Sequence, residues 1–216
     1  MTLKGITRKL EVISGKLGFL CLVILFIYIV VYTNSEIRDP DIWLHIKTGE
    51  LILQSRSVPR FDQFSFSLKG KPWIDHSWLF QVIVYLAHRH LGASGLIAIQ
   101  SFIICLMFMM LLFSGKREDN HFIIIATLLI TLFASETRIN IRPDIFSVFF
   151  FIITVFILKN YLDTKLVFTL VPLQILWTNI HGYFILGPLV VLFFLIAEFI
   201  QNKISFFSKK IFSHQI

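Results

Sequence analysis

Residues Gly95–Ser114 read GLIAIQSFIICLMFMMLLFS, twenty residues without one charged side chain. About 20 apolar residues wound as a helix cross the hydrocarbon core of a bilayer. Within that core a single segment can satisfy all of its own backbone groups only as a helix. Similar runs occupy Leu17–Thr33, Phe122–Ser135, Ile145–Leu158, Leu166–Ile180 and Tyr183–Ile200. Six runs predict an all-α, polytopic membrane helix bundle with about six transmembrane helices. Several runs hold only roughly 14–15 strongly apolar residues and need their polar ends, or a locally thinned bilayer, to complete a crossing.

Composition agrees with this reading. Of 216 residues, 56% are hydrophobic and 15% charged, and 24 are Phe. Soluble domains carry roughly 25% charged residues, so this chain cannot cover its apolar content with a water-facing surface. Disorder, collagen and a secreted disulfide scaffold are excluded. Cys21 and Cys105 each lie inside an apolar run, which gives no disulfide framework. The net charge of +7 does not indicate nucleic acid. The basic residues lie mainly in loops beside apolar runs, as membrane orientation requires.

Charge also sets the expected topology. Trp78–Ala87 is apolar except for Gln81, but about 10 residues is too short to span. If it stays outside the count, Lys4, Arg8, Lys9, Lys16, Lys116, Arg117, Lys159, Lys165, Lys203, Lys209 and Lys210 all fall on one side. The short outer loops then hold only Arg138 and Arg142. The positive-inside rule makes the lysine-rich side cytoplasmic. The expected layout is a cytoplasmic N-terminus (1–16), a first span (17–33), a long outer loop with juxtamembrane helices (34–93), spans two to six (94–200) and a cytoplasmic tail (201–216). No small-residue cleavage site follows the first span, so it reads as an uncleaved anchor rather than a signal peptide.

The long loop carries most of the polar chemistry. Asp39-Pro40 reads as an N-cap and first helical residue, followed by a helix with Ile42, Trp43, Ile46 and Leu53 on an apolar side. Asp41 and His45, four residues apart, share a helix face. Asp41 in the first turn also suits the helix dipole. Phe64, Phe66 and Leu68 alternate before Lys69-Gly70-Lys71-Pro72, a possible hairpin. Asp75-His76-Ser77 precedes the short helix Trp78–Ala87, and Asp75 or Ser77 can cap it. Two further clusters, Arg138–Asp144 and Trp177–Gly182, face the same side under six spans. Asp144 can cap the fourth span and His181-Gly182 can be a tight turn. Together Asp39, Asp41, His45, Asp75, His76, Arg138, Arg142, Asp144, Asn179 and His181 gather at one membrane face. Ionisable groups at bilayer edges and in bundles mark functional sites.

This layout resembles the GT-C superfamily of integral-membrane glycosyltransferases. Asp39-Pro40-Asp41 matches the superfamily's acidic motif in the first outer loop. Asp75-His76-Ser77 resembles the segment before the second juxtamembrane helix. Arg138 through Asp144 matches the acidic position after the third span. The Asp41-x-x-x-His45-x-x-x-Gly49-Glu50, Pro59…Asp62…Phe64-Ser65 and Asn179-x-His181-Gly182 runs are similar to poorly characterised bacterial members, and the resemblance covers nearly the whole chain. It implies transfer of a sugar from a polyprenyl-phosphate donor to a glycan, lipid or protein at the outer face of a bacterial inner membrane. In that reading Asp41 is the catalytic base, with Asp39 second. Arg138, Arg142, His76 and His181 serve the departing phosphate, and Asp144 positions a cation or the acceptor. The cofactor is unknown, since no compact metal-ligand spacing argues for a divalent cation. GT-C cores usually have at least seven spans, so a partner chain supplying missing C-terminal spans is an expected partner. The rival readings are a non-catalytic subunit or scaffold and a small transporter. The span interiors hold few of the ionisable groups that a transporter needs.

Overall fold

The computed structural model describes residues 19, 20, 22–34, 37, 39–113, 121–135 and 140–212. Among these the regular structure is helical, with no strand. The helices are α1 (Leu22–Thr33), α2 (Asp41–Ser55), α3 (Trp78–Phe113), α4 (His121–Ala134), α5 (Pro143–Tyr161), α6 (Leu170–Ile180) and α7 (Leu186–Phe212). A short 3₁₀ turn, Lys165–Thr169, leads into α6, and another, Gly182–Ile185, leads into α7. The all-α architecture is therefore as the sequence predicts.

Among the described residues, three stretches are long and apolar enough to cross a membrane: Trp78–Leu112, Pro143–Tyr161 and Gly182–Gln201. The runs expected to span at 17–33, 122–135 and 166–180 form shorter apolar helices, Leu22–Thr33, Ile124–Ala134 and Lys165–Ile180.

The short helix expected at Trp78–Ala87 and the span beginning at Gly95 lie in one continuous element, α3. Gly92 interrupts it with φ 63 and ψ −154. That backbone region is open essentially to glycine alone. Space is not the reason, because a Cβ there would meet no atom within 4 Å. The break divides a helix too long for one crossing into two arms.

α2 packs against the first arm of α3 and buries Ile42, Thr48, Gly49 and Ile52. Gly49 marks the closest approach, where an added Cβ would overlap the Gln81 carbonyl. Small residues at helix crossings allow such contact in membrane bundles. Ile42 is buried and Ile46 packs on the core, whereas Trp43 and Leu53 stay exposed. The four residues expected to form one interfacial side are thus split between core and surface.

The core runs through Ile42, Phe80, Val84, Leu96, Ile104, Ile145 and Trp177. Aromatic contacts tie α2, α3, α5 and α6 together: His45–Phe80 at 5.1 Å, Phe80–Phe146 at 5.6 Å and Phe150–Trp177 at 5.8 Å between ring centres. α1 joins through buried Leu25 and Ile29 and a hydroxyl contact between Thr33 and Ser101.

One expectation needs correction. The hairpin reduces to one isolated bridge between Phe61 and Pro72. Asp62 holds the segment as a turn by accepting the Phe64 and Ser65 N–H groups at 2.9 and 2.8 Å. α7 continues through residue 201 to Phe212. No glycine or proline occurs after Pro188 to stop it.

Candidate functional site

The site forms where the start of α2, the start of α3, the start of α5 and the end of α6 meet. Pro40 fixes the entry to α2 (φ −68, ψ −22), and Asp39 stands just ahead of it. Asp39 Oδ1 accepts the Asp41 N–H at 3.1 Å, so its capping bond exists although it lies one place before the cap. The same carboxylate receives Arg142, which donates Nε to Oδ2 and Nη2 to Oδ1, the latter at 2.9 Å. This bidentate fork is the strongest geometry open to the pair. It joins residues 103 positions apart. Burial alone would raise the Asp39 carboxyl, but the Arg142 and Asp41 hydrogen bonds outweigh it and hold the group below the ordinary carboxylate range. Asp41 is exposed beside this pair and lies within electrostatic reach of Arg142 and His45.

Asp75 closes the turn into α3 by accepting the Ser77 N–H at 3.0 Å and the Gln81 Nε2 at 3.1 Å, both through Oδ1. Burial raises its carboxyl above the ordinary value, against the Ser77 and Gln81 hydrogen bonds and the nearby charge of His45. Burial lowers the His45 imidazole, although Asp75, Asp41 and Asp39 all favour its protonation. Asp75 Oδ2, Gln81 Oε1 and His45 Nδ1 are buried without hydrogen-bond partners. Unpaired buried polar atoms cost about 1–3 kcal/mol each, so this corner keeps three hydrogen-bonding positions open.

The α5–α6 side adds a second network. Trp177 donates its indole N–H to Ser147 Oγ at 2.8 Å, and Ser147 Oγ lies 2.7 Å from His181 Nδ1. An indole nitrogen can only donate. Ser147 therefore accepts from Trp177, and its hydroxyl also shares a hydrogen bond with His181 Nδ1. Burial lowers the His181 imidazole, opposed by Asp144, which favours its neutral form. Trp78 Nε1 donates to Asn179 Oδ1 at 2.8 Å, bringing the start of α3 to the end of α6.

The structure thus brings together Asp39, Asp41, His45, Asp75, Arg142, Asp144, Asn179 and His181. His76 is exposed next to Asp75. Arg138 lies outside the described residues. Sequence reasoning missed Gln81, Ser147 and Trp177. Ser147 follows Asp144 by three residues, the helical spacing that puts both on one face, and that was the signal within an otherwise apolar run. Among the described residues, no group of three or more His, Cys, Asp or Glu side chains is arranged to hold a metal ion.

Comparison with known proteins adds no relative: no family model, no curated protein and no solved structure matches the chain.

Proposed function

We propose that this chain is a multi-pass membrane protein, with its N-terminus in the cytoplasm, that works as a GT-C-like glycosyltransferase at the outer face of a bacterial inner membrane. The observation that carries the reading is the convergence of residues 39–45, 75, 142–144 and 179–181 on one polar corner of an apolar bundle. An acceptor hydroxyl oxygen attacks the anomeric carbon of a polyprenyl-phosphate sugar. The bond from that carbon to the phosphate oxygen breaks, and the lipid phosphate leaves with the electron pair. Asp41, exposed and next to the Asp39–Arg142 pair, takes the hydroxyl proton. His181 hydrogen-bonds the departing phosphate.

Asp39 has a different part in this scheme from the one first expected of it. Its carboxylate is occupied by Arg142 and the Asp41 N–H, so it orients the start of α2 rather than acting as a second base. The same pairing supports a second reading, a non-catalytic subunit, because it neutralises an arginine that a phosphate would otherwise use.

Transfer of labelled sugar from a polyprenyl-phosphate donor by membranes containing the chain tests the activity. No transfer, even with the products of neighbouring genes co-expressed, would leave the subunit reading. Topology is tested with alkaline phosphatase fused after Lys116 and after Glu136. The first fusion is expected to be inactive and the second active; the opposite pattern would place the first arm of α3 across the membrane and disperse the site.

A further inference from the structure

The connection from α2 to α3 carries apolar side chains that the rest of the described structure leaves uncovered. Phe61, Phe64, Phe66, Leu68 and Ile74 are all exposed, Phe66 fully. One exposed apolar residue needs no explanation, but five between positions 61 and 74 do. The segment is not a loose tether. At its base Trp73 N–H donates to the Arg60 carbonyl at 2.8 Å, and Asp62 N–H donates to the Lys71 carbonyl at 2.9 Å. At its tip Gly70 N–H donates to the Asp62 carbonyl at 2.7 Å, and Lys71 N–H to the Leu68 carbonyl at 2.9 Å. The Asp62 carboxylate takes the Phe64 and Ser65 N–H groups. Gly70, with φ 80, supplies the left-handed residue that closes the tip. Backbone groups already bonded within a segment lower its cost of entering a medium poorer in water.

Position and charge say what that medium is. Trp78, the first residue of α3, donates its indole N–H to Asn179, next to the last residue of α6. The apolar stretch Gly182–Gln201 begins just beyond. The connection therefore leaves the bundle where one apolar helix ends and the next begins, which in a bilayer is the edge of the hydrocarbon layer. Ile74 stands four residues before Trp78. Arg56, Arg60, Lys69 and Lys71 are exposed, and none of them forms an ion pair among the described residues. From 56 to 74 the one acidic residue is Asp62, whose carboxylate serves the segment's own N–H groups. Rings and aliphatic side chains interleaved with cations match the boundary of an anionic leaflet. The apolar groups enter among the upper acyl carbons, and the Lys and Arg heads reach the lipid phosphates. A soluble anion would use the cations and leave the rings in water.

We propose that residues 56–74 form a surface anchor that inserts Phe64, Phe66 and Leu68 into an anionic phospholipid leaflet and so holds the start of α3, with Asp75, at the bilayer edge. The anchor rests on the multi-pass membrane reading above and is independent of the transferase reading.

The test uses the full wild-type chain in nanodiscs of phosphatidylcholine alone and of an equal mixture with phosphatidylglycerol. Both are exposed to hydroxyl radicals, and oxidised residues are mapped by mass spectrometry. Phe64 and Phe66 are expected to be oxidised at least about fivefold less in the mixed discs, the worth of a single Lys or Arg at an anionic surface. Phe193, in the apolar stretch Gly182–Gln201, is the reference and is expected to stay protected in both. Lys69→Glu combined with Lys71→Glu changes only exposed side chains, and is expected to return oxidation in the mixed discs to the phosphatidylcholine level. Equal oxidation of Phe64 and Phe66 in the two lipids, whether high or low, would overturn the proposal without need of any variant. So would unchanged lipid dependence in the charge-reversed chain, or protection that requires added membrane proteins rather than phosphatidylglycerol. Oxidation of Phe193 in both discs would remove the membrane reading itself and the anchor with it.

Discussion

The two ends of the helix order live in different surroundings. Around the starts of α2 and α3, charged and polar groups are enclosed: Asp39 is 3% exposed and Gln81 is 2% exposed. Along the last helical stretch, Gly182–Gln201, only 6% of the most apolar window is buried, and Phe193 and Phe199 stand open at 65% and 68%. Inside a soluble protein this would be backwards. In a bilayer, lipid tails cover apolar surface without cost, while charges must be wrapped by the protein itself. The contrast locates the specific chemistry in the first region and assigns the second to the solvent.

The sharpest way to break that contrast is through activity. Asp41→Asn is expected to lower sugar transfer on the order of 10²–10⁴-fold, the usual worth of a general base, while leaving membrane insertion unchanged. Wild-type rates in that variant would take Asp41 out of the mechanism. Next comes stability. Asp39→Ala strands the half-exposed Arg142 and the Asp41 N–H, and about 2–3 kcal/mol of stability should be lost. Thermal unfolding in detergent reads this as a lowered midpoint, and Asp39→Asn should recover part of it, because asparagine still accepts the Asp41 N–H.

Gly49→Ala forces α2 away from the Gln81 carbonyl at a cost on the order of 1–3 kcal/mol. The equivalent change at Gly182, where a Cβ meets nothing within 4 Å, should be close to neutral in the same assay. Acid titration gives a smaller and graded effect. The His45 imidazole sits below its ordinary 6.5 in the folded chain, so the unfolded chain takes up a proton first. That contribution is complete above about 6.5 and is lost as the pH falls below it. The unfolding midpoint of the wild type should therefore drop on acidification from pH 6.5, and His45→Gln should flatten that part of the curve. The smallest effect belongs to the lipid-facing region: Phe193→Ala should change stability by no more than about 0.5 kcal/mol. A large loss there would mean that α7 packs against protein rather than lipid.

Much of this contrast is legible in the residues. The charge-free run from Gly95 and its companions specify helices because a bilayer leaves few other solutions, and the long regular elements among the described residues are all helices. The polar clusters around Asp41, Asp75, Asp144 and His181 are visible as interruptions in apolar sequence. Local reading fails where partners are distant. Nothing near Asp39 announces that Arg142 will neutralise it, and nothing near Ser147 announces the Trp177 and His181 bonds on either side of it. The alternation of Phe64, Phe66 and Leu68 misleads toward a hairpin, because Asp62 captures the backbone N–H groups that strand pairing would need.

What the sequence alone determines here is the medium and the class of element: hydropathy and charge are properties of single segments, and they act before any tertiary contact forms. Which polar groups are free and which are already used is decided only by the tertiary structure. Hydrogen bonds are pairwise and saturable, so the chemistry of Asp39, Asp144 and His181 depends on which side chains reach them from other helices. The kink at Gly92 and the crossing at Gly49 belong to that second group, since neither can be read from composition.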